Sequence, residues 1–363
     1  MCGIAGVHGI ESFKGLEDAT AVVKSMVSLL THRGPDAEGV WSDEEHVVLG
    51  HRRLSILDTG SGANQPYRIG DDVLVFNGEV YNYLELRREL EASGAHRFST
   101  QGDTEVVLAA FCHWGLEKAL QRFNGMFALA WWCAKDRRLT LVRDRLGIKP
   151  LYWHQNDQGT LIFASEVRAL MASGHVPKAL NRDAIADQWM YGTTHAPETI
   201  VAGVNLLEPG NVLIVQDEEL RVAQWWDPAD EALGEPALND DTRRHRIRDL
   251  LSDSVALRMR SDVAYGAFLS GGIDSSAVVG LMSEVTSEPL STFSVTFSEK
   301  EMDESRWSRE VAKRFGTDHH EIRLTSQDFL AEVPAGLRAM DHPSADGLNT
   351  YVVSGATRRA GVK

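Results

Sequence analysis

The pattern of short apolar segments changes once along this chain, and that change constrains the fold more than any other feature. Up to about residue 215, strand-like runs such as DVLVFNG, GMFALAWW and RLTLVRD are separated by Gly, Asp and Asn turns, which is typical of antiparallel hairpins. After residue 241, strands such as STFSVTF alternate with helical runs of about 10 to 15 residues, which indicates a parallel, doubly wound α/β sheet. The sequence therefore predicts two domains of different fold class.

The segment between the two patterns is acidic, contains proline and has no sustained period. We therefore predict domains over residues 2–215 and 242–363, joined by a linker over 216–241. The length of 363 residues exceeds the usual size of one hydrophobic core, which favours the same division. Because so few residues remain for the second domain, we expect its sheet to be incomplete and the chain to be a fragment of a longer protein.

Composition argues against several classes of function. The formal net charge is −15 and no basic stripe offsets it, so we expect no nucleic-acid or membrane partner, whereas a homodimer stays an open alternative to a monomer. No apolar run approaches the ~18 residues of a membrane span, and the start of the chain lacks the regions of a secretory signal, so we expect a cytoplasmic location. Cys112 and Cys133 lie in apolar settings, and we expect both to be core residues.

Cys2 is separated from the start of the chain by Met1 alone. If Met1 is removed, one residue carries both a thiol and a free α-amine. An α-amine with an ordinary pKa of about 8 is partly neutral at cellular pH and can accept the proton of a thiol whose ordinary pKa is about 8.5. We therefore hypothesise that Cys2 is an amino-terminal nucleophile, the alternative being a second-position cysteine without a role.

Five separated blocks of the first domain resemble the class II glutamine amidotransferases. They are CGIAG at residues 2–6, HRGPD at 32–36, HRRLSI at 51–56, NGEVYN at 77–82 and GDTE at 102–105. Two later segments, RDRLGIKPLYW and FASEVRAL, are similar to the version of that domain found in asparagine synthetases. The resemblance implies an α+β sandwich of the Ntn-hydrolase type, with αββα layers, for the first domain.

The resemblance also implies a glutamine site. It assigns catalysis to Cys2, Asn77 and Gly78, and glutamine binding to Arg53, Asn77, Gly78, Glu79 and Asp103. These assignments agree with the chemistry of the side chains, because Arg53 can contact a carboxylate with two N–H groups and Asp103 can pair with an α-ammonium group. Asn77 can donate from its side-chain amide and Gly78 from its backbone N–H, which together would form an oxyanion hole.

Each of these residues also has a simpler interpretation. Asn77-Gly78 is a common hairpin turn, Arg53 could be an exposed strand residue, and Asp103 could cap the helix DTEVVLAAFCHWG. His32 and His51 receive no chemical role, because positioned loop or core histidines are more common than catalytic ones.

The segment FLSGGIDSSAVVG at residues 268–280 predicts a strand, a Ser-Gly-Gly turn and a helix. Backbone N–H groups at such a helix start favour a phosphate, although the lysine of a Walker A loop is absent. The segment resembles the pyrophosphate loop of ATP pyrophosphatases. The resemblance implies ATP binding by Leu269, Ser270, Gly271, Gly272, Asp274, Ser275, Ser276 and Val295, and Mg²⁺ binding by Asp274.

Both halves together resemble the glutamine-hydrolysing asparagine synthetases. The resemblance implies that Cys2 releases ammonia from glutamine, that ATP adenylates aspartate, and that ammonia displaces AMP to give asparagine, with pyrophosphate as the second product of ATP. A second glycine- and acid-rich segment of this family is not found before Lys363. Two alternatives stay open: a related amidotransferase acting on a sugar acid, peptide or β-amino acid, and a non-catalytic regulatory subunit that binds glutamine.

Overall fold

The computed structural model describes residues 1–217, 219–232, 238–297 and 304–359. The chain divides into two compact units, Met1–Glu235 and Pro236–Lys363. This division falls inside the predicted linker 216–241, of which residues 218 and 233–237 lie outside the described residues. In the described part of the chain, no helix combines the length and the apolar character needed to cross a membrane.

The first unit is built on two six-stranded antiparallel sheets. Its strands are β1 Gly3–His8, β2 Ala37–Ser42, β3 Val47–Arg53, β4 Tyr67–Ile69, β5 Asp72–Val80, β6 Gly125–Cys133, β7 Arg138–Arg143, β8 Tyr152–Gln155, β9 Leu161–Ala164, β10 Asn205–Leu206, β11 Asn211–Gln216 and β12 Glu219–Gln224. The first sheet has the order β10-β8-β9-β1-β3-β2, and the second has the order β12-β11-β7-β6-β5-β4. The hairpin-rich pattern of this half of the sequence is therefore confirmed.

The two sheets pack face to face. One buried apolar cluster contains side chains from both of them, among which are Ile4, Leu49 and Phe163 from the first sheet and Val75 and Leu213 from the second. Because successive side chains of a strand point to opposite faces, each strand also has residues that face away from this cluster and need a second covering layer.

Helices cover both outer faces. The helices of this unit are α1 Leu16–Ser28, α2 Tyr83–Ala92, α3 Asp103–Trp114, α4 Leu116–Arg122, α5 Val167–Ala172, α6 Arg182–Tyr191 and α7 Pro228–Ala232. Helices α1 and α5 share an apolar cluster with the first sheet, and α2, α3 and α4 share one with the second. The unit is therefore an αββα sandwich, as the resemblance implied.

Some local details differ from the sequence predictions. Helix α1 ends at Ser28, and Gly34, which follows it, packs directly on the backbone of Arg52, where a Cβ atom would collide. Strand β12 lies within the predicted linker and pairs with β11 along its length. The prediction for Cys112 is wrong, because this residue is on the exposed face of α3, whereas Cys133 is buried as expected.

The second unit contains a parallel sheet. Its elements are α8 Asp240–Arg258, β13 Gly266–Phe268, α9 Ile273–Val285, β14 Ser291–Phe297, α10 Ser305–Phe315, β15 Asp318–Leu324, α11 Ser326–Ala339 and α12 Gly347–Arg359. The order β13-β14-β15 follows the chain, and α8, α9 and α10 form one apolar cluster with the sheet. The reversal of strand order that defines a doubly wound sheet does not occur among the described strands.

Candidate active site

The residues predicted to bind glutamine line one cavity of the first unit. The cavity has a volume of about 190 Å³, and its lining includes Cys2, Arg53, Asn77, Gly78, Glu79 and Asp103. It lies where β1 begins and the neighbouring, antiparallel β3 ends, with β5 and the start of α3 contributing further walls. Residues that are up to about a hundred positions apart in the chain are thus brought together by the packing of the two sheets.

The thiol of Cys2 is held by the backbone of Leu54. The Leu54 N–H donates to Sγ at 3.4 Å, and Sγ lies 3.7 Å from the Leu54 carbonyl oxygen, which accepts from it. The main-chain oxygen of Cys2 accepts from Nε of Arg33 at 2.9 Å, and Nη1 of Arg33 donates to Glu166 at 3.0 Å. Burial raises the pKa of the Cys2 thiol, so ionisation of this thiol requires help from its neighbours.

The terminal amine of the chain lies in the same cavity. Burial lowers the pKa of the Met1 amine from 8.0 to about 6; the Cys2 thiolate opposes this change, and the positive charges of Arg33 and Lys149 add to it. An amine in this environment is largely neutral at pH 7 and can accept a proton.

Asn77 and Gly78 lie inside strand β5 and pair with Ala128 and Phe127 of β6. The hairpin-turn interpretation of Asn77-Gly78 is therefore wrong. Asn77 is fully buried, and neither Nδ2 nor Oδ1 has a hydrogen-bond partner within the described residues. A buried amide that is left unsatisfied costs about 1 to 3 kcal/mol, and this amide belongs to the wall of the cavity.

Gly78 has no room for a side chain. A Cβ atom at this position would collide with the carbonyl oxygen of Met126 and lie 2.6 Å from Cα of Phe127. Glycine is therefore required by the close approach of β6 to β5. The backbone of this residue lines the cavity beside Asn77.

Asp103 is the first residue of α3, whose N-cap is Gly102, so the prediction that the Asp103 side chain caps the helix is wrong. Its Oδ2 instead accepts from the backbone N–H of Val80 at 2.9 Å. Burial raises the pKa of Asp103 from 3.8 to about 7, and the nearby carboxylate of Glu79 adds to this rise. A cation placed beside these two carboxyl groups would be favoured.

Arg53 ends β3 and is buried, so it is not an exposed strand residue. Its Nη1 donates to the Gly60 carbonyl at 2.6 Å and to Oδ1 of Asn64 at 2.8 Å. Its Nη2 donates to the carbonyls of Leu57, at 3.4 Å, and Asp58. A two-pronged contact with a carboxylate through both terminal nitrogens would have to replace some of these hydrogen bonds.

Sequence reasoning missed several residues of this cavity. Gln65 accepts from the backbone N–H of Phe76 at 2.6 Å and donates to Thr104 at 3.4 Å, which ties β5 to α3, and no pattern in the sequence identified it. Lys149 lines the cavity as well. It lies in the segment RDRLGIKPLYW. Arg33, which donates to the main-chain oxygen of Cys2, lies in the block HRGPD. Both segments carry the family resemblance, and that signal could have identified the two residues.

A cavity of about 220 Å³ lies at the carboxyl end of the sheet in the second unit. Of the predicted nucleotide-binding residues, it brings together Leu269, Ser270 and Val295, and Glu304 and Asn349 also line it. Gly271, Gly272, Asp274 and Ser275 do not belong to its lining. Ser276 lines a different cavity, together with residues of α8.

The loop before α9 is compact. The Gly272 N–H donates to Oγ of Ser270 at 3.2 Å, and the hydroxyl groups of Ser270 and Ser275 lie 3.0 Å apart. Gly271 has a φ of +86°, and a Cβ atom there would lie 2.6 Å from the backbone nitrogen of Ser308, so glycine is required. This arrangement leaves the start of α9 available to an anion.

Asp274 lies exposed in the first turn of α9. Within the described residues, no group of three or more His, Cys, Asp or Glu side chains could hold a metal ion alone. Mg²⁺ is commonly bound by one or two carboxylates together with substrate phosphates. One carboxylate at a helix start that can receive phosphates fits that form of binding.

Comparison with known proteins gives two matches along the chain. Residues 1–226 match the model of the glutamine amidotransferase domain, and residues 246–363 match that of asparagine synthase. Asparagine synthetase 1 (glutamine-hydrolysing) of Bacillus subtilis is 36% identical over 95% of this chain and 54% of its own length. A putative glutamine-hydrolysing asparagine synthetase of Methanocaldococcus jannaschii is 34% identical over 99% of this chain and 72% of its own length. The chain thus spans about half the length of the first relative.

Among solved structures, the glutamine phosphoribosylpyrophosphate amidotransferase of Bacillus subtilis, in complex with ADP and GMP, aligns with 92% of this chain and 92% of its own. The two are 16% identical, with a TM-score of 0.49. The assignment of the first unit to the αββα class therefore rests on the layers of sheets and helices described above.

Proposed function

Because the chain belongs to the family that joins a glutamine amidotransferase domain to an asparagine synthase domain, we propose that its first unit hydrolyses glutamine and that its second unit binds ATP for amide synthesis. The observation that carries the first half is the fully buried amide of Asn77, which has no hydrogen-bond partner among the described residues and lines the same cavity as Cys2. A hydrogen-bond donor kept without a partner in this place is suited to an oxyanion that forms only during the reaction.

The reaction begins with removal of Met1, which gives Cys2 a free α-amine. This amine takes the proton of the thiol, and the thiolate attacks the side-chain carbonyl carbon of glutamine. The resulting oxyanion accepts hydrogen bonds from Nδ2 of Asn77 and from the backbone N–H of Gly78. The amine returns its proton to the leaving nitrogen, ammonia departs, and water hydrolyses the thioester to release glutamate.

Three charged side chains would bind the two ends of glutamine. Asp103 would pair with the α-ammonium group, with Glu79 nearby, and the binding of this cation would shift Asp103 to its ionised form. Arg53 would bind the α-carboxylate after giving up some of its hydrogen bonds to the loop at residues 57–64. Glutamine binding would therefore alter that loop.

In the second unit, ATP would occupy the cavity beside Leu269, Ser270 and Val295, with its phosphates toward the start of α9. Asp274 would hold a Mg²⁺ ion, which neutralises phosphate charge when it is bound. The acceptor is aspartate: its carboxylate attacks the α-phosphorus of ATP and releases pyrophosphate, and ammonia then displaces AMP to give asparagine. We also propose a cytoplasmic location for this reaction.

The test of the glutaminase is direct. The purified chain is incubated with glutamine, glutamate is measured, and removal of Met1 is checked by intact mass. We expect glutamate from the wild type and none above background from Cys2→Ala. The control Cys112→Ser should keep wild-type activity, because Cys112 is exposed on the outer face of α3. Retained Met1 together with an absence of glutamate would refute the proposal and favour a glutamine-binding regulatory role.

The test of the acceptor adds aspartate, ATP and Mg²⁺ to a reaction with a version of the protein that spans the whole length of its asparagine synthetase relatives. We expect asparagine and pyrophosphate in equal amounts. Glutamate that forms without either product would remove aspartate from the assignment and point to another carboxylate. Cys2→Ala should still form asparagine when ammonia is supplied, and a loss of that activity would contradict the proposed division between the two units.

A further inference from the structure

Lys149 places an ammonium group in the cavity that contains Cys2. Its side chain lines this cavity together with Cys2 and Glu79, and the residue is only 5% exposed. Glu79, Cys2 and Asp144 are acidic groups whose charges act on its Nζ. A buried cation has an unusually strong influence on the charges of neighbouring groups.

The backbone of Lys149 is held from both sides. Oδ2 of Asp144 accepts from the Lys149 N–H at 3.0 Å and from the Phe127 N–H of β6 at 3.1 Å. Nε of Arg143 donates to the Lys149 carbonyl at 2.9 Å. The loop that contains Lys149 is thereby attached to β6 and β7. The position of the Lys149 side chain is therefore determined by the sheet that also positions Asn77 and Gly78.

The other two cations near Cys2 are engaged elsewhere. Arg33 forms an ion pair with Glu166 at 3.0 Å, and Arg53 donates to three backbone carbonyls and to Asn64. Arg53 still lowers the pKa of the Cys2 thiol, which Asp103 raises. The positive charge of Lys149 is balanced in part by Glu79 of the same cavity.

We propose that Lys149 is a positioning residue that acts through Cys2: its positive charge favours loss of one proton from the amine–thiol pair, which keeps the pair reactive at neutral pH. The inference rests on the proposed glutaminase function. No bond to Lys149 forms or breaks. The proton leaves the pair to water, and the proton that remains moves between the sulfur and the nitrogen as described above.

The charged groups around this pair agree with the inference. Burial lowers the pKa of the Met1 amine, which precedes the amine that Cys2 would carry; the Cys2 thiolate raises this pKa, Arg33 and Lys149 lower it further, and Glu79 raises it. Burial lowers the pKa of Lys149 itself; Glu79, Cys2 and Asp144 raise it, and Arg33 lowers it further. Removal of the Lys149 charge should therefore raise the pKa values of both the amine and the thiol, and the reactive form should appear only at higher pH.

The experiment compares two neutral variants with one that keeps the charge. The kcat and KM for glutamine are measured from pH 5.5 to 9 for wild type, Lys149→Met, Lys149→Gln and Lys149→Arg, each checked for loss of Met1. In both neutral variants we expect kcat/KM to fall about tenfold at about pH 6.5 and to recover above about pH 8.5. The reason is that the rise of kcat/KM on the acid side of its pH profile moves to higher pH by about one pH unit. Lys149→Arg should stay within about twofold of the wild type throughout.

A second measurement does not depend on turnover. The rate of alkylation of Cys2 by iodoacetamide is followed against pH in the absence of glutamine, and peptide mapping separates Cys2 from Cys112 and Cys133. We expect the midpoint of this profile to move to higher pH in the neutral variants and to stay in place in Lys149→Arg.

Several outcomes would overturn the proposal. A fall in kcat/KM that is equal at every pH, or a rise in KM alone, would assign Lys149 to folding or to substrate binding. An alkylation profile that is the same in all four proteins would remove the electrostatic role. If the wild type releases no glutamate, the proposed function fails, whereas the alkylation profile still tests the effect of Lys149 on Cys2.

Discussion

Asn77 is fully buried, yet neither polar atom of its side-chain amide has a partner among the described residues. A hydrogen bond that forms only with the oxyanion would accelerate the reaction without stabilising the fold. The amide of Asn77 is therefore expected to matter for activity much more than for stability.

Replacing Asn77 by Ala should lower kcat about 10²- to 10³-fold with little change in KM, which is the usual effect of removing an oxyanion donor. The melting temperature should change little, because no hydrogen bond of the described fold is lost. Steady-state kinetics and calorimetry measure the two effects. A large fall in melting temperature with a proportional loss of active protein would show that Asn77 serves the fold instead.

Asp103 has a pKa of about 7 in the folded chain, against an ordinary value of 3.8, because it is buried. Between these two values the folded state binds more protons than the unfolded state. The free energy of unfolding therefore decreases as pH rises through this window, and the full destabilisation is present above about pH 7.

Asp103→Asn should remove this pH dependence, since a carboxamide does not ionise. At about pH 8 we expect the first unit of the variant to be more stable than the wild type by on the order of 1 to 4 kcal/mol, and at about pH 4 we expect little gain. Urea unfolding at several pH values measures the difference. If the free energy of unfolding depended on pH equally in the two proteins, the Asp103 carboxyl group would not be desolvated.

At the scale of secondary-structure elements, the pairing of β5 with β6 determines the shape of the cavity. Gly78 faces Phe127 in this pair, and the two strands approach so closely that a Cβ atom at Gly78 would overlap the Met126 carbonyl. The same strand carries Asn77, so a displacement of β5 would move both proposed oxyanion donors.

Gly78→Ala should therefore lower stability and glutaminase activity together. We expect the free energy of unfolding to fall by about 1 to 3 kcal/mol, as it does when a core is overpacked. We also expect kcat to fall by more than the loss of folded protein would explain. The control is Gly355→Ala of α12 in the second unit, because the nearest atom to a Cβ there is Nη1 of Arg359 at 3.9 Å. Thermal unfolding and kinetics of both variants test the prediction, and similar behaviour of the two would contradict it.

For the whole molecule, the three apolar clusters of the first unit consist, among the described residues, of residues of that unit. The described residues of the second unit form a cluster of their own. A unit with closed cores of this size is expected to fold independently.

A chain that ends at residue 235 should therefore unfold in one cooperative transition and hydrolyse glutamine in the absence of ATP. Calorimetry, together with glutamate release compared with the full 363-residue chain, measures this. An aggregated or unfolded product would show that the first unit depends on the second for stability. A folded product without activity would assign part of the glutamine site to the remaining residues.

Several features of the fold and the site could be predicted from the sequence. Turn residues and apolar runs mark strands such as β5, β6 and β7, because these signals are local. The position of Cys2 suggested a nucleophile, and the blocks at residues 32–105 suggested the glutamine site and the αββα class. Periodicity alone could not give the direction in which Cys112 faces, because the exposed face of α3 depends on how the helix rests on its sheet.

The sequence by itself determined the division of the chain into two fold classes, the choice of Cys2 as the candidate nucleophile and the residue types available to a glutamine site. The tertiary structure decided which of those residues share a cavity and that Lys149 lies in the cavity of Cys2. It also decided that Asp103 is desolvated and that the Asn77 amide has no partner in the described part of the chain. The physical reason is that burial and electrostatic coupling depend on distances in space. Cys2 and Lys149 are separated by most of the first unit in the chain, and only the packing of the two sheets brings them together.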